Sequence, residues 1–184
     1  DPRIVATELA RDGPELPVPL IKETAGVLRH ERIPFVSYPY EWTFSMLKDA
    51  ALLQLDLSRE ALAEGILTKD ATSYNVQFQG TRPVFIDVGS FERLVPGEPW
   101  PGYRQFCQLF LNPLYLQAEV EVDFQPVLRG SVHGISPTDA ARLMAEAAVR
   151  ITHSGGSKVV WMPAVTRARV MMPIVFCASL LPWL

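Results

Sequence analysis

The sequence predicts an α+β fold, because a long helical segment is closely followed by two short strands. Between Thr43 and Gly65, apolar residues recur at steps of three, four and seven among good helix formers. Two short apolar runs at 76–78 and 83–86 then flank Gln79-Gly80-Thr81-Arg82, which is typical of a β-hairpin. With 184 residues, 48% of them hydrophobic, the chain can form one domain, or one domain and part of another.

The first 65 residues are expected to form one strand and one long helix. Pro14, Pro17 and Pro19 break any helix in residues 1–20, and Ile33–Tyr38 predicts a short strand. The long helix ends at Gly65, since glycine suits the stop after a helix, and a break near Asp56–Ser58 stays open.

Three polar residues around the hairpin form a candidate phosphotransfer site. The hairpin folds the chain back, so that Asn75 before it and Asp87 after it can lie side by side. Phosphoryl transfer to a hydroxyl needs a carboxylate that accepts the proton and oxygen ligands for Mg²⁺. Asp70 is therefore the candidate base, and Asn75 and Asp87 are the candidate Mg²⁺ ligands. Alternatively, Asp70 and Asn75 stabilise a turn by bonding the local backbone.

The C-terminal half is predicted to be helical. A connector rich in proline and glycine at 95–102 leads to a helix from about Tyr103 to Ala118. Ser136 followed by Pro137 predicts the start of another helix, running to about Arg150. No acidic residue follows Glu146, a change that either a frameshifted or chimeric tail or a divergent C-terminus would explain.

Composition excludes several classes of function. A net charge of −3 and a pI near 5.6 argue against a nucleic-acid-binding surface. The two cysteines, Cys107 and Cys177, are far apart and typical of free thiols in a reducing cytoplasm. The apolar run at 170–184 is shorter than the roughly 20 residues of a spanning helix and contains two prolines, so a membrane anchor is not favoured. A start at Asp1 without a signal sequence suggests a fragment or processed product.

The succession of loop, hairpin and Asp-x-Gly resembles the catalytic core of the protein-kinase-like fold, which includes aminoglycoside phosphotransferases. The pattern His-Arg-Asp-x-x-x-x-Asn-Val stands here as Thr68-Lys69-Asp70 through Asn75-Val76, and Asp-Phe-Gly stands as Asp87-Val88-Gly89. The resemblance implies residual N-lobe strands and a hinge in residues 1–42, and a C-lobe core in residues 43–135. Residues 136–184 would hold the last helix and the tail. Tyr40 and Glu41 would lie at the hinge, where adenine binds in active members.

Several parts of an active kinase are missing from this sequence. It contains no Gly-x-Gly-x-x-Gly loop, and Lys22, the one tempting counterpart of the strand lysine, has the wrong setting. Thr68 replaces the usual histidine, and Thr72 replaces a lysine that often assists the phosphate. The expected fragment is therefore mostly a C-lobe core with an incomplete N-lobe, and Mg-ATP would be its cofactor only if the site is active.

Longer phrases resemble a bacterial family described as class I S-adenosylmethionine-dependent methyltransferases, in which a kinase-like N-terminal part precedes a Rossmann-like domain. The resemblance implies that the chain is this N-terminal module, that its partner is the missing methyltransferase domain, and that the parent protein, not this fragment, binds S-adenosylmethionine. The matching phrases lie at residues 30–42, 69–75, 85–92 and 102–111.

Asp87-Val88-Gly89 also suggests the S-adenosylmethionine loop of a Rossmann-like domain, which we reject. Such a loop needs further glycines so that the backbone can approach the ligand. Bulky residues stand there instead, at Phe91, Glu92 and Arg93. Two hypotheses remain: a non-catalytic module of a cytoplasmic methyltransferase-family protein, and a Mg-ATP-dependent phosphotransferase that acts on an unknown small molecule through Asp70.

Overall fold

The computed structural model describes residues 1–10 and 26–143, which have a mixed α+β architecture with three two-stranded antiparallel sheets. Strand β1 (Thr7–Ala10) pairs with β2 (Val27–His30). Strand β3 (Ile66–Thr68) pairs with β6 (Phe91–Arg93), and β4 (Val76–Gln79) pairs with β5 (Arg82–Phe85). The β3–β6 pair brings the segment before Asp70 beside the segment after Asp87.

Helices make up most of the remaining structure. Helix α1 covers Phe44–Ala63, α2 covers Tyr103–Phe106, α3 covers Asn112–Val120 and α4 covers Gln125–Gly130. A π-helical segment, Cys107–Leu111, joins α2 to α3 without a break, and residues 137–143 are also helical. Three 3₁₀ turns lie at Pro39–Glu41, Ser73–Asn75 and Val88–Ser90.

Helix α1 confirms the predicted long helix and runs through Asp56–Ser58 without interruption. The Thr43 hydroxyl caps its N-terminus by accepting the Met46 N–H at 3.3 Å. Gly65 follows its C-terminus with φ at +70°, a conformation that glycine adopts without steric cost. The helix packs against β3 and β5, and so it supports both strands that lead into the candidate site.

The predicted hairpin is also confirmed, with Val76 opposite Phe85 and Gly80 at φ +63° in its turn. Its inner side chains join a core built around fully buried aromatic residues. Trp42 is 1% exposed, and its ring meets the Phe78 ring edge-on at 5.1 Å. Burial of this cluster fixes the hairpin on α1, since apolar area removed from water is the main stabilising term in folding.

The predicted strand at Ile33–Tyr38 is wrong. These residues form no strand, and the nearest strand is β2, at Val27–His30. Pro34 has no N–H for a ladder, which disfavours a strand there. The backbone of Ser37 is instead held by one side chain of β4. Gln77 Oε1 accepts the Ser37 N–H at 2.9 Å, and Gln77 Nε2 donates to the Ser37 carbonyl at 3.1 Å. Strand β1 was missed among the first 20 residues.

The predicted helix from Tyr103 to Ala118 is confirmed, but with a π-helical segment in its middle. The Asn112 N–H bonds to the Cys107 carbonyl, five residues back, so the Gln108 carbonyl has no partner within the helix. The Ile135 N–H donates to the Gln108 carbonyl at 2.9 Å. This bond attaches the segment before residues 137–143 to the middle of the helix.

The predicted start of the last helix is confirmed, since the Ser136 hydroxyl accepts the Asp139 N–H at 3.1 Å. Its predicted end near Arg150, the tail at 145–184, Lys22 and Cys177 lie outside the described residues. Within the described ranges, no helix combines the length and apolar character that a bilayer span requires.

Candidate functional site

The structure places Asn75 and Asp87 side by side. Asn75 ends the 3₁₀ turn that precedes β4, and Asp87 follows β5. The Ile86 N–H donates to the Asn75 carbonyl at 2.8 Å, which extends the hairpin pairing by one step. Asn75 Nδ2 then donates to Asp87 Oδ2 at 3.1 Å. The hairpin therefore brings together the two predicted Mg²⁺ ligands.

This pair presents oxygen atoms of the kind that Mg²⁺ prefers. Because Asn75 uses its amide nitrogen and Asp87 uses Oδ2, Oδ1 of each residue has no hydrogen-bond partner among the described residues. Carboxylate and amide oxygens suit Mg²⁺, which usually takes one or two carboxylates together with phosphates and waters. No cluster of three His, Cys, Asp or Glu occurs in the described part of the chain. Asn75 and Asp87 thus offer one amide oxygen and one carboxylate oxygen, too few for a metal site built from these side chains alone.

Asp70 is fixed to the segment that follows Asp87. Its N–H donates to Ser90 Oγ at 3.1 Å, and the same hydroxyl donates to the Asp70 carbonyl at 3.2 Å. The Lys69 N–H also donates to the Ser90 carbonyl at 2.8 Å. Ser90 is fully buried, so these bonds are shielded from water. Ser90 thereby links the loop that carries the candidate base to the hairpin exit.

The Asp70 carboxylate has a second support from α2. Gln105 Nε2 donates to Asp70 Oδ1 at 3.3 Å, and Gln105 Oε1 accepts the Ala71 N–H at 2.9 Å. Sequence reasoning missed both Gln105 and Ser90. Ser90 directly follows Asp-x-Gly, a position that could have marked it, whereas Gln105 lies 35 residues beyond Asp70 and carries no local signal.

Thr68, two positions before Asp70, belongs to a buried polar network. Its hydroxyl accepts from Gln54 Nε2 at 3.1 Å and lies 3.2 Å from the Ser58 hydroxyl. Its carbonyl accepts from Trp100 Nε1 at 2.6 Å. Thr68 is therefore a structural anchor between α1, β3 and the connector, and its side chain is 0% exposed.

The predicted hinge residues lie in the 3₁₀ turn Pro39–Glu41. Glu41 Oε2 accepts the Tyr38 N–H at 2.8 Å, so this carboxylate caps the turn. The Tyr40 ring stacks on Tyr38 with centroids 5.4 Å apart, and the Arg129 guanidinium lies 5.7 Å from its centroid. Burial, and to a lesser degree Tyr40, raises the pKa of Tyr74. Tyr40 therefore lies near the residue that precedes Asn75.

An open cavity of about 500 Å³ lies between the N-terminal segment and the hairpin. Arg82 and Val84 of β5 line one side, and Ile4 to Thr7 and Glu31 line the other. It reaches Val88 but not Asp70, Asn75 or Asp87, so it is distinct from the candidate site.

Part of the sequence is similar to a longer known protein. Over 120 residues, which is 65% of this chain, the sequence is 42% identical to the nodulation protein NoeA of Rhizobium meliloti (strain 1021). The matched part spans 25% of that protein's length. No protein-family model matches the chain, and no solved structure gives a significant match. The chain is thus similar to one portion of a longer nodulation protein.

Proposed function

We propose that this chain is the kinase-like N-terminal module of a bacterial class I S-adenosylmethionine-dependent methyltransferase-family protein, and that it transfers no phosphate by itself. The observation that carries the proposal is the Asn75–Asp87 hydrogen bond at 3.1 Å, formed across the hairpin that follows Asp70. The order of these residues and their loop–hairpin setting match the resemblance to the kinase-like core. In this role the pair retains an oxygen site for Mg²⁺ and nucleotide phosphates.

The parent protein would be longer than this chain. Similarity to 25% of the nodulation protein supports a module within a larger polypeptide, and we propose a related nodulation role for that parent in the cytoplasm. Its methyltransferase domain would be the partner of this module and would bind S-adenosylmethionine.

The local geometry around Asp87 supports the proposal that S-adenosylmethionine binds to the methyltransferase domain of the parent and not to this loop. The residues after Asp87 form the 3₁₀ turn Val88–Ser90 and then β6, rather than a glycine-rich loop that opens a helix. The Phe91 ring also packs against the core ring of Phe85, with centroids 5.5 Å apart. Bulk therefore occupies the place where a cofactor would need close backbone approach.

Two features support a module that is non-catalytic in isolation. Asp70 and Asp87 each accept a hydrogen bond from a protein amide, and neither forms an ion pair among the described residues. The sequence also lacks a Gly-x-Gly-x-x-Gly loop to cradle phosphates. A site of this kind would hold phosphates weakly.

A Mg-ATP-dependent phosphotransferase is the second candidate, favoured by one specific observation. Asp70 Oδ2 has no hydrogen-bond partner among the described residues, while the backbone of Asp70 is held by Ser90. A fixed carboxylate with one unengaged oxygen can accept the proton of an acceptor hydroxyl. Mg²⁺ at Asn75 and Asp87 would neutralise charge on the phosphates.

An ADP-release assay separates the two candidates. The 184-residue chain is incubated with Mg-ATP, and release is compared with that of Asp70→Asn and of Asp123→Asn, an exposed aspartate with no hydrogen bond to the site. The module proposal predicts no release that depends on Asp70. Release that Asp70→Asn abolishes and Asp123→Asn preserves would overturn it and establish the phosphotransferase.

A further inference from the structure

We propose that Gln105 is a positioning residue for Asp70, which fixes Oδ1 of the carboxylate and leaves Oδ2 to accept the proton of an acceptor hydroxyl. This inference rests on the second candidate function, the Mg-ATP-dependent phosphotransferase. It adds a residue from α2 to a site that the sequence pattern confined to the loop and hairpin.

The orientation of the Gln105 amide follows from its two partners. The Ala71 N–H can only donate, so the atom 2.9 Å from it must be the amide oxygen. The nitrogen then lies 3.3 Å from Asp70 Oδ1, where it donates. A flipped amide would place its NH₂ group against an N–H and its oxygen against a carboxylate. The flipped form is therefore excluded by two repulsive contacts.

The support of Asp70 reaches both its backbone and its side chain. Ser90 bonds to the N–H and the carbonyl, and Gln105 bonds to Oδ1. The helix that carries Gln105 is fixed in turn, because Trp100 donates to the Thr68 carbonyl at 2.6 Å just before α2 begins. Free rotation of the carboxylate would break the Gln105 bond. One oxygen is thus consistently presented to the site.

The chemical step assigns a role to each oxygen. The hydroxyl oxygen of the acceptor forms a bond to the γ-phosphorus of ATP, and the bond from that phosphorus to the β–γ bridging oxygen breaks. ADP leaves with the electron pair, and the hydroxyl proton passes to Asp70 Oδ2. Gln105 keeps its bond to Oδ1 throughout and touches neither ATP nor the acceptor.

Two substitutions separate the two hydrogen bonds of Gln105. Gln105→Glu retains an acceptor for the Ala71 N–H but removes the donor to Asp70, and Gln105→Met keeps the length of the side chain but removes both bonds. Gln79→Met, at the hairpin tip, is the matched control. Thermal unfolding of each variant shows that it is folded before any other measurement.

The first readout is the Asp70 side chain itself, observed by NMR couplings in the 184-residue chain. We expect one rotamer in the wild type and in Gln79→Met, and averaging in Gln105→Glu and Gln105→Met. An averaged rotamer in the wild type, or a fixed rotamer in both Gln105 variants, would overturn the positioning role.

The second readout is ADP release from Mg-ATP, with water and glycerol as hydroxyl probes. Gln105→Met should lower kcat by about tenfold with little change in KM for ATP, because a displaced base affects proton transfer rather than binding. A wild-type rate that depends on Asp70 but is unchanged in Gln105→Met contradicts the inference. If no Asp70-dependent release occurs in the wild type, the phosphotransferase fails, and the NMR readout alone decides whether Gln105 positions Asp70.

Discussion

Asn75 donates a hydrogen bond of 3.1 Å from its side-chain amide to Oδ2 of Asp87, across the open end of the β4–β5 hairpin. The two residues are 12 positions apart, and the hairpin register between them sets their separation. This bond orients both side chains at once, because each uses one polar atom for the partner and keeps one oxygen unengaged. The same contact therefore contributes to stability.

The stability of this contact is measurable by a double-mutant cycle. Asn75→Ala and Asp87→Ala should show a coupling energy of about 1 kcal/mol in urea unfolding, as expected for a partly buried hydrogen bond to a carboxylate. The control cycle pairs Asn75→Ala with Asp123→Ala and should be additive. Additivity of the first cycle to within about 0.3 kcal/mol would show that the bond does not form in solution.

Glycine is required at position 134, where the chain passes close to the backbone of the π-helical segment Cys107–Leu111. Its φ is +73°, and a Cβ there would overlap the Gln108 carbonyl that accepts the Ile135 N–H. Gly134→Ala should therefore destabilise the protein by about 3 kcal/mol or more, because strain and overpacking add.

Gly65→Ala is the matched control for this substitution. Gly65 has a similar φ of +70°, but a Cβ there meets no atom within 4 Å, so only the backbone cost of about 1–2 kcal/mol applies. Urea unfolding of both variants measures the difference. Equal losses at the two positions would contradict the close approach at Gly134.

The buried network around Thr68 predicts a compensating pair of substitutions. Thr68→Val removes the acceptor of Gln54 Nε2 and should cost about 1–3 kcal/mol, since a buried donor is left without that partner. Gln54 Oε1 already has no partner among the described residues, so Gln54→Met removes a costly group. The double variant should regain most of the loss. A double variant less stable than Thr68→Val would refute this explanation.

The thiol of Cys107 should be unreactive at neutral pH. Burial raises the pKa of this thiol above its usual 9.0, and a smaller opposing effect comes from a hydrogen bond with Tyr103. At neutral pH a thiol with a raised pKa contains less thiolate, so Cys107 should react with iodoacetamide more slowly than an exposed thiol of usual pKa.

The pH dependence of Cys107 provides a further check with a defined sign. The pKa of Cys107 is higher in the folded state than in the unfolded state, so the unfolded state loses the thiol proton first as the pH rises. The free energy of unfolding should therefore decrease as the pH rises above about 9. The free energy of unfolding and the rate of alkylation are both measured in Cys177→Ser, so that Cys107 is the thiol that is followed. Alkylation as fast as that of an unfolded control would contradict burial of Cys107.

The elements nearest the candidate site could be predicted because their signals are local. Thr43 and Gly65 mark the ends of α1, and Gly80 marks the hairpin turn. A hairpin in this position places Asn75 and Asp87 side by side, and the structure shows this arrangement. Functional use of the pair stays a prediction.

The parts that escaped prediction depend on contacts between distant segments. Strands β1 and β2 pair across about 20 positions of sequence that has no regular pattern. The segment near Ser37 is held by a side chain, Gln77, 40 positions away, which no periodicity can indicate. Ser90 and Gln105 support Asp70 only because β6 and α2 fold back beside its loop.

Isothermal titration calorimetry with Mg-ATP tests the kinase-like assignment of the Asn75–Asp87 pair most directly. The 184-residue chain is titrated beside Asp87→Ala and the exposed control Asp123→Ala, and S-adenosylmethionine is titrated into the same chain as a second ligand. We predict Mg-ATP binding that Asp87→Ala weakens by about tenfold or more and Asp123→Ala preserves, and no binding of S-adenosylmethionine. Absence of Mg-ATP binding, or binding unchanged by Asp87→Ala, would contradict the assignment.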